Sequence, residues 1–114
     1  MAVPQRPLSI TILSFVLILA GAIGIGYHLS ELRAAPRPVD VAPIFLLRIL
    51  ALVAGMCMLR GRNWARWTAL LWLALHVAIS AFHSVPELLM HLALLAVFGY
   101  FLLRRPAAEY FRAA

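Results

Sequence analysis

The chain reads as an all-α membrane protein, a four-transmembrane-helix bundle of two antiparallel hairpins, and three observations predict this. Hydrophobic residues make up 65% of the 114 and charged residues 12%, which leaves too little polar surface to close a soluble globule. Four apolar stretches, each close to the ~20 residues that cross ~30 Å of hydrocarbon, are separated by short charged or proline-bearing joints. Inside the stretches the apolar residues run on without period-2 alternation, which favours helices over the strands of a barrel. Residues 1–114 form a single integral membrane domain.

The first span covers residues 8–32. Arg6 before it and the small pair Ala34-Ala35 after it imitate a secretion signal, but the apolar run is well beyond the 7–15 residues of a signal core, so it is read as a retained helix. Ala20 with Gly24 and Ala22 with Gly26 give it faces of small residues on which another helix packs closely. The second span, residues 41–59, repeats that signature at Ala51 and Gly55 and holds an arginine, Arg48, between one and two turns in. Its single Cys57 has no second cysteine to work with and is read as core filling.

The joint from Arg60 to Trp67 follows. Gly61 suits the left-handed residue that ends the second helix, Asn63 suits an N-cap of the third, and Trp64 and Trp67 suit the membrane interface while Arg60, Arg62 and Arg66 reach headgroups. Such a basic Gly-Arg-x-Trp-Ala-Arg turn resembles those of small bacterial inner-membrane proteins. The resemblance covers the eight residues of this joint and implies topology, not an activity.

The third span is residues 64–82 and the fourth 85–103, with Ala74 and Ala78 a small-residue pair on the third. Ser84-Val85-Pro86-Glu87 between them is a capping box, Ser84 as N-cap and Glu87 three residues on, with Pro86 tolerated in the first turn. A tight hairpin centred at residues 83 and 84 places His76 and His91 at equal depth. Beyond the fourth span, Arg104 and Arg105 anchor a tail that is expected to form a short interfacial turn, with Tyr110 and Phe111 dipping into the headgroup region.

Charge sets the orientation. All ten basic residues are arginine. Arg6, Arg60, Arg62, Arg66, Arg104, Arg105 and Arg112, seven of the ten, fall with one acid, Glu109, on the face that holds both termini; Arg33, Arg37 and Arg48 on the other are balanced by Glu31, Asp40 and Glu87. The formal charge of +6 therefore sits on one face, and the positive-inside rule makes that face cytoplasmic in the bacterial inner membrane. The arginines cluster at helix ends beside Trp or Tyr, which points to anionic lipid headgroups as partners and away from nucleic acid.

The opposite half of the bundle gathers His28, Glu31, Arg48, His76, His83, Glu87 and His91. Ionisable groups at membrane depth are expensive and usually face a partner or cavity. Three readings follow. His28, His76, His83 and His91, with Glu87, would suit a transition metal such as zinc or copper; two of the histidines on facing helices would suit haem b; or Arg48 pairs with Glu31 or Glu87 while the histidines bond backbone carbonyls and hold the hairpins in register. The last is preferred, with no cofactor. No phosphate loop, Ser-His-acid set or carboxylate pair at catalytic spacing is present. The expected function is that of a non-enzymatic accessory, scaffold or assembly subunit, a homo-oligomer or part of a larger membrane complex. The alternative is a binding or transport module built on the histidine cluster.

Overall fold

The computed structural model describes residues 5–34 and 42–112, which form five helices: α1 Leu8–Ala34, α2 Ala42–Leu59, α3 Asn63–Ser80, α4 Val85–Leu103 and α5 Arg105–Arg112. The protein is all-α. Arg37 and Asp40, used in the charge balance, and Val41, the expected start of the second span, lie outside the described residues.

Three helices are long and apolar enough to cross a membrane, within Leu8–Glu31, Ala42–Leu59 and Val85–Leu103. The helix at the third expected span, α3, falls short of them in apolarity, because its 18 residues include Asn63, Arg66, His76 and all three tryptophans. It also ends at Ser80, two residues before the expected boundary. The chain there bends through residues 81–83, with the N–H of Phe82 donating to Ile79 and that of His83 to Ser80, so that Ser84 can take the extended conformation of an N-cap.

The joints explain the boundaries. Gly61 adopts φ 76°; its N–H donates to Met58 O at 3.0 Å, and the N–H of Arg62 donates to Cys57 O at 3.0 Å, the two bonds of a Schellman stop. The chain leaves that turn already aimed at α3. Arg62 rather than Asn63 therefore holds the N-cap position, without a side-chain cap, and Asn63 is the first helical residue. Ser84 does cap α4, accepting from the Glu87 N–H at 3.4 Å. The reciprocal half of the box does not form: the Ser84 N–H donates to Ser80 O, and the Glu87 carboxylate lies 3.9 Å from His83 Nδ1.

α1 and α2 make the most extensive pairing, antiparallel, followed by α3 with α4 and α2 with α3, whereas α1 and α4 barely meet. Glycines bring α1 and α2 together. A β-carbon on Gly21 would lie 2.6 Å from Arg48 O and 2.8 Å from Leu52 N, and one on Gly55 would lie 2.7 Å from Ser14 O, so the backbones touch where those glycines stand. Gly26, expected to pack, has open space around it. The contact face of α1 runs through Ser14, Ile18, Gly21 and Gly24, and Gly26 is turned away from it.

Buried side chains concentrate at the end of the molecule that carries the joint at Gly61 and helix α5. Ile10, Met58, Ala65, Leu73, Leu102 and Phe111 are all 1% exposed or less. Toward the other end the helices separate, and the space between them is lined by the histidines. The outer faces stay apolar and open, with Leu8, Ile23, Leu46, Leu71 and Phe82 well exposed.

Candidate functional site

At the end away from the Gly61 joint a half-open cavity of about 660 Å³ lies between the α1–α2 and α3–α4 hairpins. His28, Arg48, His76, His83, Glu87 and His91 all line it. Its floor is apolar, with Leu17 from α1, Leu73 from α3, and Leu94 and Phe98 from α4.

Each wall is positioned by a local device. Trp72 Nε1–H donates to Leu47 O at 2.8 Å, which ties α3 to α2 beneath the cavity. One turn on, His76 Nδ1 lies 2.8 Å from Trp72 O; a carbonyl only accepts, so the δ nitrogen carries the proton and donates. His91 Nδ1 donates likewise to Glu87 O at 2.9 Å and lies 2.7 Å from Ser80 Oγ, and Ser80 is 2% exposed. The rings of His76 and His91 have centres 5.3 Å apart with 39° between their planes, and His76 rests at 4.0 Å on Trp72. The sequence-derived register therefore brings that pair together.

On α1, His28 Nδ1 donates to the Glu31 carboxylate at 2.8 Å. His28, His76 and His91 thus share one arrangement: the δ nitrogen is fixed to an acceptor of its own helix, and the ε nitrogen is the one left to the cavity. A second-sphere bond of this kind fixes a histidine's tautomer and ring orientation. His83, at the exposed rim, is held among the described residues by the 3.9 Å approach to Glu87.

Arg48 corrects an expectation. It pairs with neither Glu31 nor Glu87, whose carboxylates lie on His28 and His83. A histidine three or four residues away along the chain, on the same helix for His28 and in the turn just before α4 for His83, reaches a glutamate with less ordering than an arginine on another helix. The Arg48 stem lies against α1 where Gly24 leaves room, and the side chain lines the cavity beside His76 and His91. As for metal, His76 and His91 approach each other, but among the described residues no three His, Cys, Asp or Glu side chains are grouped to hold an ion.

The basic end was expected to anchor in headgroups. There the side chains also serve the fold. Arg66 donates to Leu102 O at 3.2 Å and stacks its guanidinium over Phe111 and Trp67. Arg6 donates to Leu59 O at 2.9 Å. Trp64 and Trp67 are about half exposed, and Arg104 lies over Tyr100 and Phe101. The tail differs most from expectation: it is the two-turn helix α5, in which Phe111 is 1% exposed and Tyr110 Oη–H reaches Met58 O at 3.1 Å and Leu59 O at 2.8 Å. Tyr110 and Phe111 dock on the helix ends instead of dipping outward. The signal was present in Ala107, Tyr110 and Phe111 at helical spacing opposite Arg105 and Glu109, which pair at 3.1 Å.

Compared with protein-family models, with curated proteins and with solved structures, the chain matches none.

Proposed function

We propose that the chain is a four-span protein of the bacterial inner membrane, both termini cytoplasmic, that acts without catalysis as an accessory, scaffold or assembly subunit through contacts within the bilayer. The observation that carries this is the outward apolar surface: in the three most apolar helices no more than 28% of the apolar stretch is buried inside the chain. Such a surface needs lipid or other helices. The fourth span is α3. It joins two helices of that class through short turns, and its 18 residues extend ~27 Å at 1.5 Å per residue, close to the hydrocarbon thickness. The arginine-rich joint at residues 60–66 supports a cytoplasmic face for that end.

Cysteine-accessibility labelling tests the topology, with Cys57→Ala as background and single cysteines at Gln5, Asn63, His83 and Ala108. Labels at Gln5, Asn63 and Ala108 from the cytoplasm and at His83 from the opposite side are expected; His83 labelling from the cytoplasm overturns it. Mass measurement in native lipid particles tests the scaffold. A lone monomer at every expression level would end that part of the proposal.

One observation favours a second reading, a binding module: the 660 Å³ cavity is within the range that receives small ligands, apolar with a few polar groups converging on it.

A further inference from the structure

We infer that the histidine cavity takes a single-chain amphiphile with a carboxylate head, the head held at Arg48 and the chain lying on the floor formed by Leu17, Leu73, Leu94 and Phe98. This rests on the binding-module reading. Three features of the cavity carry it.

Polarity is graded along the cavity. Along the helices His83, Ser80 and Glu87 stand nearest the turn at the mouth, Arg48, His76 and His91 about a turn deeper, and apolar residues such as Leu73, Leu94 and Phe98 deeper still. A ligand that satisfies both ends has a polar head and an apolar body. The second feature is charge. Glu31 and Glu87 face His28 and His83, so the cation that the middle of the cavity presents is the Arg48 guanidinium, whose planar fork matches a carboxylate. A dianionic phosphate would call for further cations there, and among the described cavity residues Arg48 is the one arginine.

The imidazoles refine the head site. With Nδ1–H committed to backbone carbonyls, His76 and His91 present ε lone pairs, which accept from a water or hydroxyl placed beside the carboxylate. Access is the third feature. The cavity is half open, and α1 and α4 make few contacts, so a chain in the lipid reaches the floor sideways between those two helices.

Trp72 lines the cavity and makes the test direct. With Trp64→Phe and Trp67→Phe, Trp72 is the remaining tryptophan, and its emission is followed in phosphatidylcholine nanodiscs as 11-bromoundecanoate or 11-bromoundecanol is added. Saturable quenching by the acid, at least tenfold tighter than by the alcohol, is expected. Arg48→Gln should remove most of that difference and Arg48→Lys should keep part of it, with unliganded Trp72 emission unchanged as the check on folding. Saturable quenching by acid and alcohol alike, or an acid preference indifferent to Arg48→Gln, overturns the carboxylate assignment but leaves a binding cavity. Quenching that rises without saturation for both probes removes the binding module with it.

Discussion

Gly24 and Arg48 occupy one space. A β-carbon on Gly24 would stand 2.5 Å from Arg48 Cδ and 2.8 Å from its Nε, so the arginine stem crosses α1 where the glycine leaves a gap. Gly24→Leu should therefore destabilise the α1–α2 pair by about 1–3 kcal/mol, the usual cost of overpacking, while Gly26→Leu, in open space, should stay within about 0.5 kcal/mol. Thermal melts in detergent compare the two. Gly24→Leu combined with Arg48→Ala should recover part of the loss, because the clash needs both partners.

The stop at Gly61 gives a second expectation. At φ 76° an L side chain costs roughly 1–2 kcal/mol, so Gly61→Ala should lower the melting temperature. Asn63→Ala should have little effect, because Arg62 and not Asn63 holds the cap position. A larger loss at Asn63 than at Gly61 would contradict the Schellman geometry.

Helix α5 is a docked element, and its two aromatic residues contribute differently. Phe111→Ala should cost about 3–5 kcal/mol, as for other buried aromatics, and should open the Arg104-Arg105 junction to trypsin. Tyr110→Phe removes only the hydroxyl bonds to Met58 and Leu59, about 1 kcal/mol. Digestion rates of the two variants give the comparison.

The histidine tautomers are open to spectroscopy. In protein labelled with nitrogen-15, His76 and His91 should both appear as the Nδ1–H form, because each δ nitrogen faces a backbone carbonyl. An Nε2–H form at either site would mean that the ring is turned over. His91→Asn, whose amide can still donate to Glu87 O, should preserve the α3–α4 hairpin better than His91→Leu.

The hairpin register was legible because the turn at residues 83 and 84 is short. Once two antiparallel helices close there, depth follows from counting, and His76 meets His91. What counting does not provide is rotation about the helix axis. Gly26 and Gly24 both belong to small-residue pairs in the sequence, yet α1 presents Gly21 and Gly24 to α2 and turns Gly26 away. Rotation also decided the charges: Glu31 and Glu87 were visible as partners for Arg48, but a histidine three or four residues away along the chain claimed each. The docking of α5 is masked by interface physics, which explains an aromatic beside arginines well enough to hide the carbonyls at the C-terminal end of α2 as acceptors for Tyr110.

Burial confined to one end makes the molecule a set of beams clamped at the base. The close-packed region ends near Leu73 and Phe98, and beyond it the α1–α2 and α3–α4 pairs have little holding them to each other. A hinge of ~5° at Phe98 moves the Val85 end of α4, ~20 Å away at 1.5 Å per residue, by ~2 Å, enough to change the width of the cavity mouth while the clamp itself stays packed. The two ends of this small protein therefore differ in compliance, the basic end rigid and the histidine end adjustable.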